Sequence, residues 1–88
     1  MEQFVKILVK NLSHQATQED VRELFEEYGY VRSVDLRIDR ETGRPRGSAV
    51  VEMATEYEAE AAIKALDGKE LLGRAMKLTA IRPDSRRW

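Results

Sequence analysis

An α+β fold in the order strand-helix-strand-strand-helix-strand is what this sequence predicts, and three observations predict it. Apolar residues alternate with polar ones in four short segments, the period of a strand with one buried face. Two other segments open on a threonine capping signal and continue with apolar residues at helical spacing. The strand-helix pattern of the first half is echoed in the second, which is the internal symmetry of a ferredoxin-like sandwich. All these local signals agree on one order, and such agreement specifies a fold better than any single signal.

In the first strand, Val5, Ile7 and Val9 alternate with Lys6, Leu8 and Lys10. Phe4 shares the parity of the second set and is expected to pack on the sheet edge. A polar loop over residues 11–16 leads to Thr17-Gln18-Glu19-Asp20, where the threonine oxygen can accept from an orphan backbone N–H. Val21, Leu24, Phe25 and Tyr28 then form one apolar stripe, and Gly29 is the expected stop. Each such side chain contributes about 1.5–3 kcal/mol if fully buried. The opposite helix face carries Glu19, Asp20, Glu23, Glu26 and Glu27 against Arg22, so acidic charge is concentrated there.

Val31, Val34, Leu36 and Ile38 mark the second strand, with Asp35 and Arg37 on its other face. Residues 39–45 read as an exposed connection, with Gly43 free to take positive φ and Pro45 fixing the chain before the third strand. Arg37, Arg40, Arg44 and Arg46 cluster around it, either as a solvated hairpin balanced by Asp39 and Glu41 or as phosphate contacts. In the third strand Ala49, Val51 and Met53 face inward while Arg46, Ser48, Val50 and Glu52 face out. Thr55-Glu56-Tyr57-Glu58 repeats the capping signal, and Ala59, Ala62, Ile63 and Leu66 repeat the stripe before Asp67-Gly68 stops it. A turn or short hairpin over residues 69–73 precedes the fourth strand, with Met76, Leu78 and Ala80 buried and Lys77, Thr79 and Ile81 outward.

At 88 residues the chain is read as one domain over residues 1–82 with a basic tail over residues 83–88 that lacks periodicity. Hydrophobic content of 42% with a net charge of −1 excludes the composition of disordered chains. No apolar run is long enough to span a bilayer, and Met1-Glu2-Gln3 has none of the character of a signal peptide; an intracellular protein with no membrane partner is expected. The absence of cysteine excludes disulfides and thiolate metal sites. His14 is the only histidine, and no phosphate-binding glycine loop is present, so neither catalysis nor a metal or cofactor is expected. A pI near 5.9 argues against strong non-specific nucleic-acid binding and makes the placement of charge decisive.

Two segments carry a family resemblance. Arg46-Gly47-Ser48-Ala49-Val50-Val51-Glu52-Met53 resembles the main recognition strand of the RNA recognition motif, K/R-G-F/Y-G/A-F-V-x-F/Y, through Arg46, Gly47, Ala49 and Val51. Ile7-Leu8-Val9-Lys10-Asn11-Leu12 resembles the shorter first-strand motif of that family. In both, the aromatic positions are changed: Leu8, Ser48, Val50 and Met53 stand there. The resemblance runs from about Phe4 to Ile81, and the chain is similar to short bacterial proteins that consist of little more than one such motif. It implies a four-stranded antiparallel sheet in the order 4-1-3-2 with both helices on one face, leaving the other to single-stranded RNA.

What the resemblance implies for the site follows residue by residue. Leu8, Ser48 and Val50 replace rings that would stack bases, and each stack is worth about 1–3 kcal/mol. Lys6, Lys10, Arg37, Arg46 and Lys77 on the outward face, with Arg82, Arg86 and Arg87 in the tail, remain to hold a phosphate backbone. Asn11 is expected to hydrogen-bond exposed bases, Trp88 could supply one ring, and Glu52 is expected in a cross-strand ion pair. The other class of reading is a protein-interaction or homodimerisation module built on an apolar patch of Leu8, Val50 and Ile81. Arg74-Ala75-Met76 lacks the phenylalanine with which some relatives bind peptides.

Overall fold

The computed structural model describes residues 4–81. Its elements run β1 (Val5–Lys10), α1 (Gln18–Glu26), β2 (Val31–Ile38), β3 (Pro45–Met53), α2 (Glu56–Leu66), β4 (Glu70–Leu71), β5 (Arg74–Ala75) and β6 (Lys77–Ile81). The main sheet has the order β2-β3-β1-β6 with every neighbour antiparallel, and β4 and β5 form a separate two-residue hairpin. With β6 as the fourth strand of the sheet, this is the predicted order 4-1-3-2 of a ferredoxin-like βαββαβ sandwich.

Alternation does what the period implies. Val5, Ile7 and Val9 of β1, Ala49, Val51 and Met53 of β3, and Leu78 of β6 are buried on one face. Against them lie Val21 and Phe25 of α1 and Ala59, Ala62 and Leu66 of α2, with Leu24, Tyr28, Leu36, Ile63 and Leu71 packed around the margin. Removing this apolar surface from water is the main stabilising contribution.

Both helices start where a threonine caps them. Thr17 Oγ1 accepts from Asp20 N at 3.1 Å while the Asp20 carboxylate accepts from Thr17 N at 3.1 Å, a complete capping box. Thr55 Oγ1 accepts from Glu58 N at 3.1 Å. The first helix closes at Glu26, with Glu27 as its cap, three residues short of Gly29. Past the second, Asp67 Oδ1 accepts from Leu78 N at 3.0 Å and fastens the helix end to β6.

Three features depart from the sequence reading. The loop after β1 is only partly polar in its placement, because Leu12, Ser13 and Ala16 are buried and Leu12 N donates to Gly47 O at 2.9 Å. Ile38 stays 48% exposed, in an open groove beside the N-terminus of α1. The edge strand β2 also breaks register between Val31 and Ser33, so that Val31 and Val34 both face the core although three residues apart. Gln18 Nε2 and Arg22 of α1 donate to the Val34 and Val31 carbonyls at 2.9 and 3.2 Å and pin that edge.

Candidate nucleic-acid interface

The face opposite the helices is built from the residues that alternation turns outward. Register sets Leu8 directly between Val50 and Thr79, Lys10 between Ser48 and Lys77, and Lys6 between Glu52 and Ile81. Asp35 of β2 completes the middle row opposite Val50. Leu8, Ser48 and Val50 are half-buried, so the positions that would carry rings hold a short, low surface. Ile81, 38% exposed, is paired with Lys6, and the apolar row of Leu8 and Val50 is flanked by charged residues on both sides.

One end of the face is basic and uncompensated. Lys10 and Lys77 are direct cross-strand neighbours, an arrangement that costs stability because like charges repel. Among the described residues neither they nor Arg46 form an ion pair. Arg46 and Arg37 line an open depression of about 580 Å³ with Arg40, Asp39 and Glu41, which brings most of the predicted arginine cluster together. Asp39 is occupied by the turn, its carboxylate accepting from Glu41 N at 2.9 Å, and Arg37 pairs weakly with Asp35 at 3.8 Å.

Gly47 shapes this end. Its φ of +84° is left-handed, and a Cβ there would lie 3.2 Å from His14 Nε2 and 3.3 Å from Leu12 O. The β2–β3 register shifts over this stretch, between the Leu36–Ala49 and Ile38–Pro45 pairs, so Arg46, Gly47 and Ser48 lie in an irregular part of the strand. Asn11, also left-handed at φ +57°, is tied down: its amide donates to Ala75 O at 2.8 Å and its side-chain oxygen accepts from Arg74. Both polar atoms expected to meet bases therefore fasten the β4–β5 hairpin to the end of β1.

The other end is charged but internally balanced. Glu52, whose side chain is only 20% exposed, accepts from Arg32 at 3.3 Å and faces Lys6 Nζ at 3.8 Å. The Arg32 guanidinium lies 4.3 Å above the centre of the Phe4 ring. Sequence reasoning missed Arg32, because the parity of Val34, Leu36 and Ile38 would turn it inward; the bulge after Val31 turns it out. The signal was present in the apolar spacing of three between Val31 and Val34. Phe4 thus supplies an aromatic ring at this end of the face, with Arg32 over it; Phe25 is in the core, Tyr28 packs against the core, and Tyr30 and Tyr57 are exposed. Arg82, Arg86, Arg87 and Trp88 lie outside the described residues.

Among the described residues no group of three or more His, Asp or Glu could hold a metal ion, and no helix is long and apolar enough to cross a membrane. Comparison with known proteins finds relatives along nearly the whole chain. RbpF of Nostoc sp. strain PCC 7120, named as a candidate RNA-binding protein, is 51% identical over 79 residues, covering 90% of this chain and 75% of RbpF. The crystal structure of RNA binding protein PG1 superposes with a TM-score of 0.84 at 39% identity, covering 88% of this chain and 93% of that one. The structure of a Sxl-lethal protein/RNA complex matches with a TM-score of 0.79 at 30% identity, over 84% of this chain and 46% of that one. The family model of the RNA recognition motif matches residues 7–77, and the chain belongs to that family.

Proposed function

We propose that this protein is a non-enzymatic single-stranded RNA-binding domain that captures the phosphate backbone at the basic end of its open sheet face. The observation that carries this reading is the pairing of Lys10 directly opposite Lys77, with no anionic partner for either among the described residues. Lysines at directly opposite positions on neighbouring strands repel, and a phosphate bound between them relieves that repulsion while releasing its own counterions. Arg46 extends the track toward the depression it shares with Arg37. The names of PG1 and of the Sxl-lethal complex, both similar in fold and sequence, support RNA as the polymer.

Affinity is modest in this reading. Leu8, Ser48 and Val50 provide no ring, and the two or three missing stacks are together worth about 2–9 kcal/mol. Charge and backbone contacts therefore dominate, with little selection of sequence at the middle of the face. The test is a backbone-amide NMR titration with a mixed-sequence single-stranded RNA, first at low and then at near-physiological salt. Shifts over residues 6–11, 46–52 and at Lys77 that weaken as salt rises are expected. Silence of those amides at high RNA concentration would refute the reading.

A further inference from the structure

The balanced end of the sheet face contains a group that resembles a bound ligand. The Arg32 guanidinium sits 4.3 Å over the Phe4 ring and donates to Glu52 Oε1 at 3.3 Å, while Lys6 Nζ stands 3.8 Å from Glu52 Oε2. A planar, delocalised unit with N–H donors on its edge thus occupies an aromatic platform walled by a carboxylate. Guanine carries the same unit, since its N1–H, C2 and N2 amine form a guanidine fragment of the purine ring.

We propose that Phe4, Glu52 and Lys6 form a guanine-binding subsite in which an unpaired guanine base of the bound RNA takes the place of the Arg32 side chain. The inference rests on the RNA-binding reading above and adds a base preference to it. The order of polar groups fits one base. Lys6 Nζ, Glu52 Oε2 and Glu52 Oε1 present donor, acceptor, acceptor, and the Watson–Crick edge of guanine presents O6, N1–H and the N2 amine as acceptor, donor, donor. Uracil, cytosine and adenine each offer a single N–H-bearing position to the carboxylate on that edge, leaving one oxygen unmatched. Exchange is inexpensive because the displaced contacts are exposed: the Arg32 side chain is 54% accessible, and ion pairs and cation–π contacts at such sites are weak. Stacking on Phe4 replaces the cation–π contact, and the released Arg32 reaches the RNA backbone.

Fluorescence anisotropy with labelled U-rich RNA octamers bearing a single G, inosine, A or U at the central position tests the subsite at fixed salt. The G-containing octamer is expected to bind about fivefold or more tightly than the U and A forms. Inosine, which lacks the N2 amine, should fall between them. Glu52→Gln and Phe4→Leu, each checked for an intact amide spectrum, should lose the preference for G while retaining salt-dependent binding to every octamer. Arg32→Ala should keep the preference, since it vacates the platform. Equal affinities for all four octamers, preference persisting in Glu52→Gln, or its loss in Arg32→Ala would overturn the guanine subsite and leave the RNA-binding reading standing. No binding of any octamer by the wild type would overturn both.

Discussion

Ser48 and Val50 stand on the strand where this family places its stacking rings, and both point away from the helices. Their direct cross-strand neighbours are Lys10 for Ser48 and Leu8 and Asp35 for Val50, all on the open side, so a larger side chain would extend outward without crowding the core. Ser48→Phe combined with Val50→Phe is therefore expected to raise affinity for single-stranded RNA by at least about tenfold, one to two stacks' worth. Isothermal titration at constant salt would measure it, and an unchanged affinity would mean that RNA does not cross the middle of the face. Gly47 shows the converse, a residue fixed by backbone and not by ligand. At φ +84°, with His14 and Leu12 close by, Gly47→Ala is expected to cost about 1–2 kcal/mol in urea denaturation. A cost near zero would show that the backbone at Gly47 relaxes freely.

Among the elements, the regular ones were legible from sequence and the irregular ones were not, for a physical reason. Alternation in β1 and β3 and the threonine caps of α1 and α2 are local signals, expressed within a few residues. The bulge in β2 depends on which strand it pairs with, so Arg32 and its contact with Phe4 emerged only with the register. Asn11 likewise matched a motif expected to face bases, but its partners Arg74 and Ala75 lie more than sixty residues along the chain. The β4–β5 hairpin that supplies them turns through Leu72 at φ +54° and Gly73 at φ +88°, the two positive values of a type I′ turn. Glycine accepts such an angle at no steric cost, whereas leucine does not, and Leu72 is also 55% exposed. Leu72→Asn, giving the preferred residue pair for this turn, is expected to stabilise the domain by about 1 kcal/mol. Thermal unfolding should rise by about 4–8 °C in a domain of this size, and a fall would show that Leu72 makes packing contacts outweighing its strain.

Over the whole molecule, a net charge of −1 conceals two opposed surfaces. Glu19, Glu23, Glu26 and Glu27 are exposed on the helix layer, and Lys10, Arg46 and Lys77 on the sheet face have no carboxylate paired with them among the described residues. Approach of a polyanion is thus favoured from one side only, and the acidic side limits indiscriminate binding. This polarity has a measurable consequence. Three cations neutralising three phosphates of a single strand give a slope of about −2 in log K against log salt, so affinity should drop about 20-fold between 50 and 200 mM. Lys77→Gln removes one of those contacts and should make the slope less negative by about 0.7, with the largest loss of affinity at the lowest salt. Anisotropy titrations of one RNA across four salt concentrations would give both slopes. A wild-type slope near zero would place the binding energy in neutral contacts, and an unaltered slope in Lys77→Gln would move the phosphate track off the Lys10 and Lys77 pair.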